Sequence, residues 1–323
     1  MQRSRRTSLL HNLAILALSA SASIASAQTE VDAYPSRPVT IVIPSTPGGS
    51  AEAVLRQFLQ RVSQTFVQQS IVLHRPGAGG TIGADLVAKA KPDGYTLVLG
   101  AGNFGAAPVL FKNLSYDPIK SFEPISILST RNILLAATPT LPVNNAREYF
   151  DYARANPGKV SFGVVSNDGR LSAAHMHNLA KVNVVLIDYK GTSEMLQDLL
   201  AGRIHATIIT FNSLMPLVNA KKVKPLGTAS AQRSKLSPDL ATISEQGAPG
   251  YQFESWVGIL APAGTPKAIV DKLSAEFAKA GQDKSLREKF EGDFMEVLAG
   301  SPEQAAAFMK AEVERWKAME GTP

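Results

Sequence analysis

The chain has 323 residues, 45% of them hydrophobic, and no cysteine. That content can build a core and the length suggests roughly two domains, while the missing cysteine excludes disulfides, thiolate metal sites and cysteine nucleophiles together. The formal charge of +6 owes much to Arg3, Arg5 and Arg6; without them 30 basic side chains face 27 acidic ones, the nearest thing to a basic block is Lys221, Lys222 and Lys224, and nucleic-acid binding has little support.

Residues 1–27 read as an export signal. A charged start is followed by the mostly apolar Leu9 to Ile24 and by the small-x-small site Ala25-Ser26-Ala27. Ser4-Arg5-Arg6 before Leu9-Leu10 also resembles a twin-arginine signal, so both export routes stay open. No other apolar run is long enough to span a membrane, which points to a soluble protein of the periplasm.

Strands and helices then alternate, the pattern of an α/β fold with largely parallel sheets. Val39–Ile43 is a strand that runs through Pro44 into Ser45-Thr46-Pro47-Gly48-Gly49-Ser50, and an amphipathic helix starts at Ala51. A strand that ends in glycines and opens a helix gathers backbone N–H groups at the positive end of a helix dipole, a place suited to an anion. Ile71–Leu73 repeats the device with Arg75-Pro76-Gly77-Ala78-Gly79-Gly80-Thr81, followed by a helix from Ile82 to Ala90. Further strands are expected at Thr96–Leu99, Ile125–Leu128 and Ile133–Ala137. In the middle third, helix Ala146–Ala155, strand Val160–Val165, helix Ser172–Ala180, strand Val184–Tyr189, helix Ser193–Leu200, strand Ala206–Thr210, helix Ser213–Asn219 and strand Val223–Thr228 follow one another. Strand Phe253–Leu260, helices Pro266–Ala280 and Ser285–Phe290, a short strand Met295–Ala299 and helix Pro302–Lys317 close the chain. No flexible linker separates two domains, so Ile125–Ala137 and Gly250–Leu260 are read as crossovers. They divide the chain into lobe I (35–130 and 256–323) and lobe II (131–255), with a cleft and a hinge between them.

Signatures of chemistry are weak. Gly100-Ala101-Gly102-Asn103-Phe104-Gly105 matches a dinucleotide fingerprint, but Pro108 is expected to interrupt the helix that such a site needs. The segment reads instead as a turn lining the cleft, with Asn103 able to donate to a ligand. His175 and His177 fall on different faces of a helix and lack further metal ligands; His175 is taken to tie a loop to its helix. There is no GxSxG elbow. No cofactor, metal or catalytic residue is expected, and the chain does not read as an enzyme.

An ordered series of short motifs resembles one family. It comprises Tyr34-Pro35-Ser36-Arg37-Pro38, Pro47-Gly48-Gly49-Ser50, Arg75-Pro76-Gly77-Ala78-Gly79-Gly80 and Pro92-Asp93-Gly94-Tyr95. It continues with Tyr116-Asp117-Pro118, Asn156-Pro157-Gly158, Tyr189-Lys190-Gly191, Pro249-Gly250-Tyr251 and Ala261-Pro262-Ala263-Gly264. Over nearly all of the chain beyond residue 27 this resembles the periplasmic solute receptors of tripartite tricarboxylate transporters, often called the Bug receptors. The resemblance implies a type-II periplasmic-binding-protein fold whose two α/β lobes close on a small carboxylate. It places the first binding loop at Ser45, Thr46, Gly48, Gly49, Ser50, Ala51 and Glu52, and the second at Ser166, Asn167, Asp168, Gly169, Arg170 and Ser172. Tyr189 and Thr210 are candidate contacts at strand ends. Glu52 stands where the family usually has Asp, and Asp168 and Arg170 where it usually has Gly and Ser. Arg170 is either a surface arginine, which Asp168 could neutralise, or a bidentate clamp for a carboxylate. The function implied is capture of a di- or tricarboxylate, aromatic acid or amino acid by a monomer for delivery to a membrane permease. A periplasmic sensor for a signalling kinase and a carboxylate-processing enzyme are the alternatives.

Overall fold

The computed structural model describes residues 33–64, 66, 68–233 and 237–319; the segment read as an export signal, 1–27, lies outside them. The chain opens with strand β1 (Val39–Ile43), helix α1 (Ser50–Val62), strand β2 (Ser70–His74), helix α2 (Thr81–Ala88), strand β3 (Thr96–Ala101), helix α3 (Gly102–Leu110) and the long strand β4 (Phe122–Arg131). It then crosses into a second lobe: β5 (Ile133–Ala137), α4 (Ala146–Ala155), β6 (Ser161–Val164), α5 (Asn167–Leu179), β7 (Val185–Asp188), α6 (Thr192–Leu200), β8 (Ala206–Thr210), α7 (Phe211–Asn219) and β9 (Lys224–Thr228). It returns through β10 (Ser255–Pro262) to α8 (Lys267–Gly281), α9 (Lys284–Gly292), β11 (Met295–Val297) and α10 (Pro302–Ala318).

Each lobe is a sheet covered by helices. The first sheet has the order β11-β4-β10-β3-β1-β2, with β1, β2 and β3 parallel and β10 antiparallel to both β3 and β4. The second has the order β7-β6-β8-β5-β9. Alternate strand residues face opposite sides, so each sheet feeds two cores. Ile41 and Ile43 pack with Phe58 and Leu99 on one face of the first sheet, and Val42 and Val98 pack with Trp256 and Phe104 on the other. In the second lobe Ile133 and Leu135 join Tyr149 and Phe162, while Leu134 and Ala136 join Met195 and Leu214.

The two crossovers lie side by side. β4 ends at Arg131 and β5 begins at Ile133; β10 begins at Ser255, whose register partner on β4 is Arg131. Strand β4 runs longer than Ile125–Leu128 because Ser129, Thr130 and Arg131 keep pairing with β10 and β11 despite their polarity. A third element also spans the lobes. Helix α10 buries Ala305 and Met309 in the first lobe, and Trp316, with Met319 just past its end, in the second. Between them the buried carboxylate of Glu312 accepts hydrogen bonds from Nε1 of Trp256 (3.2 Å) and Nε1 of Trp316 (2.7 Å) and pairs with Arg315.

Local expectations also differ from the structure at Pro108 and at His175. Helix α3 is not interrupted by Pro108 but runs through it to Leu110. The proline sits in the last turn, where one lost bond is tolerated because Ala106 and Ala107 are fully packed. The histidine that fastens α5 is His177, not His175. Its Nδ1 donates to the Ala173 carbonyl (2.7 Å) and its Nε2 accepts from the Tyr149 hydroxyl (2.8 Å). Burial pushes its pKa down to about 4, so the ring is neutral. His175 is half-buried beside the Tyr251 ring.

Candidate functional site

A cavity of about 270 Å³ opens between the lobes. Three helices start at its wall. Ser50 and Ala51 come from α1, Gly102 and Asn103 from α3, and Ser166 and Asp168 from the N-cap and first turn of α5. Neither α1 nor α3 has a side-chain N-cap, so their first N–H groups have no intrahelical partner. Positive helix ends converging on one space favour an anion there. The second glycine turn closes one side through Gly79 and Gly80. Both have positive φ, and a Cβ at Gly79 would lie 2.6 Å from the Phe111 ring, so the wall needs glycine.

The floor is Arg131, which the sequence reading missed. It is only 4% exposed and lies where β4 leaves the first sheet. Its side chain makes no hydrogen bond or ion pair among the described residues, and its Nε is buried without a partner. Burial pulls its pKa down, yet a guanidinium stays charged at any ordinary pH. An uncompensated buried charge costs several kcal/mol by the general scale for desolvated ions. Arg131 and Ser50 also line an adjoining cavity of about 220 Å³. A lone arginine between the apolar runs Ile125–Leu128 and Ile133–Ala137 was the available signal.

The first loop is arranged by Glu52. This buried side chain turns back so that Oε2 accepts from the Gly48 N–H (2.8 Å), while Oε1 accepts from Arg56 (2.8 and 2.6 Å) and lies 3.5 Å from His74 Nε2. The Gly48 N–H, and to a smaller extent the Arg56 guanidinium, hold the carboxyl below the usual range in spite of burial. Glu52 therefore supports the loop from behind. Ser45, Ser50 and Ala51 line the cavity; Thr46, Gly48, Gly49 and Glu52 do not. Gly49 has φ −71° and ψ 155°, and a Cβ there would meet nothing nearer than Ser45 Oγ at 3.8 Å. Gly49→Val should accordingly fold, with a melting temperature within a few degrees of wild type. Its affinity for a carboxylate should fall by at least about tenfold as the side chain crowds the α1 N-terminus. Calorimetric titration beside a circular-dichroism melt measures both; undiminished affinity would remove the loop from the site.

The second loop is largely helix. Ser166 caps α5, its Oγ accepting from the Gly169 N–H (3.3 Å), so Asn167, Asp168, Gly169, Arg170 and Ser172 belong to the first turns and not to a loop ending before Ser172. Ser166 and Asp168 line the cavity; Gly169, Arg170 and Ser172 do not. Arg170 pairs with Asp188 on β7 at 2.7 Å, the two side chains being 46% and 68% exposed, so the partner is Asp188 and not Asp168. Ser172 is buried, with its hydroxyl 2.7 Å from that of Tyr251. The Tyr189 hydroxyl donates to Asp198 (2.8 Å), and Thr210 Oγ1 lies 2.9 Å from Ser213 Oγ; neither residue lines the cavity. Asn103 does line it, and its buried Oδ1 has no hydrogen-bond partner among the described residues.

Among the described residues no cluster of three metal-ligating side chains occurs, and no helix is long and apolar enough to cross a membrane. The cavity offers hydroxyl and amide groups, one guanidinium and one carboxylate among its lining residues.

Comparison with known proteins places the chain in a family. Residues 54–321 match the family model described as the tripartite tricarboxylate transporter family receptor. A UPF0065 protein from the tcbD-tcbE intergenic region of Pseudomonas sp. (strain P51) is 34% identical over 308 residues, covering 94% of this chain and 91% of the relative. The structure of R. palustris Rpa4515 with adipate superimposes with a TM-score of 0.77 at 33% identity, covering 90% of this chain and 98% of that one. The periplasmic binding protein BugD gives 0.73 at 33% identity, covering 88% and 97%. The chain belongs to the receptor family of the tripartite tricarboxylate transporters, the Bug receptors, and has their two-lobed α/β fold.

Proposed function

We propose that this protein captures a small carboxylate in the cavity between its lobes and hands it to a tripartite-transporter permease, binding the acid without turning it over. The observation that carries this reading is the buried, unpaired guanidinium of Arg131 in a cavity where the N-termini of α1, α3 and α5 meet. An anion there would satisfy the arginine and the free helix N–H groups together. The adipate bound by the structural relative supports the ligand class. On this reading residues 35–130 with 256–323 form one lobe and 131–255 the other, α10 strapping them, and the protein is a monomer exported by its first 27 residues.

A thermal-shift screen against mono-, di- and tricarboxylates, aromatic acids and amino acids tests it. An acid at a hundredfold over its dissociation constant should add about 2.7 kcal/mol of stability and be recovered unchanged. If no acid moves the melting transition, or if the bound acid is converted, the proposal fails.

A further inference from the structure

The cavity is not uniformly positive. Against Arg131 and the three helix ends stands one carboxylate, Asp168, brought from the second lobe by the first turn of α5. Asp168 makes no hydrogen bond or ion pair among the described residues. The arginine two positions later is engaged elsewhere, with Asp188. Across the cleft it approaches the start of α3 so closely that a Cβ at Gly102 would lie 2.9 Å from Oδ2. Asp168 thus belongs to the ligand's enclosure rather than to the outer surface, and among the described residues no donor hydrogen-bonds its carboxylate.

We infer that the site selects a zwitterion, an acid whose carboxylate meets Arg131 and whose other end carries an ammonium or comparable donor that meets Asp168. This rests on the carboxylate-receptor reading above and narrows it. Carboxylates at both ends would set one of them against Asp168, and like charges in a desolvated site repel strongly. An ammonium at that end gains a charge-assisted hydrogen bond where the dicarboxylate meets repulsion. A plain alkanoate loses only the gain, and should lie between the two. Asp168 also stabilises the positive end of its own helix; that role alone would not make affinity depend on what the ligand carries at its far end.

Matched series separate the possibilities. 3-Aminopropanoate, 4-aminobutanoate and 5-aminopentanoate are titrated calorimetrically against succinate, glutarate and adipate, with butyrate, pentanoate and hexanoate as neutral-ended references. Wild type and Asp168→Asn are compared, and thermal melts verify that both are folded. At the best chain length the wild type should bind the amino acid at least about tenfold more tightly than the dicarboxylate. Asp168→Asn should shrink or reverse that ratio by at least about tenfold, mostly by gaining affinity for the dicarboxylate. The inference is overturned if dicarboxylates bind the wild type more tightly than the amino acids, or if the ratio is the same in both proteins; the carboxylate-receptor reading survives either result. If none of these acids binds and the wider screen is also blank, the receptor reading itself has failed.

Discussion

Replacing Arg131 by methionine should abolish carboxylate capture and at the same time make the empty protein more stable. Truncating one partner of a buried charge-assisted pair costs about 2–5 kcal/mol of binding, roughly a thirty- to several-thousand-fold loss. In the ligand-free protein the same change removes a buried cation that makes no ion pair among the described residues. Methionine fills similar volume without the desolvation cost, and even exchanges of buried ion pairs for apolar groups of similar volume run from neutral to stabilising by about 1–4 kcal/mol. The two signs are opposite, which separates a ligand-binding arginine from a structural one: a structural arginine would lose stability on replacement. Arg131→Lys should keep the charge but not the planar fork, and should bind with intermediate affinity. Urea titration with and without a saturating acid reads both quantities. A destabilised Arg131→Met protein with unchanged affinity would move the site away from Arg131.

The largest stability loss is expected at Trp316. This side chain is fully buried in the second lobe, edge-on to Phe253 with ring centroids 5.9 Å apart, and its indole N–H donates to Glu312. Trp316→Ala leaves a large cavity and takes one of the two indole donors from the buried Glu312 carboxylate, so it should cost about 3–5 kcal/mol. Typical domains hold only 5–15 kcal/mol in all. Because α10 fastens the lobes together, the loss should also uncouple them. Denaturant unfolding followed by far-ultraviolet circular dichroism should become broader than the single transition of the wild type. A sharp transition at the wild-type midpoint would mean that the strap carries no stability.

The periodicity of the chain discloses the lobes because apolar runs and glycine turns are local facts. β1, its turn and α1 follow from Val39 to Val62 alone, and the crossovers follow from two extended segments with no linker between domains. What the sequence conceals depends on tertiary partners. The polar end of β4 lies beyond the apolar run that marks the strand until β10 and β11 pair with it, and Arg131 is hidden with it. Asn167, Asp168 and Gly169 are poor helix formers, so the start of α5 is visible only once Ser166 is seen to cap it. Arg170 stands as close in sequence to Asp168 as an ion pair would need, yet its partner comes from a neighbouring strand. Glu52, sitting in a binding loop, reads as a ligand contact; in space it is the loop's own support.

That support has a kinetic consequence. Because Glu52 already occupies the Gly48 N–H and is itself held by Arg56, the loop is ordered before any solute arrives. Ordering a flexible segment on binding would subtract from affinity and slow productive encounters. Here little of that toll remains, and capture of a dilute acid should proceed at a rate set by diffusion and charge attraction, with dissociation alone distinguishing a good solute from a poor one.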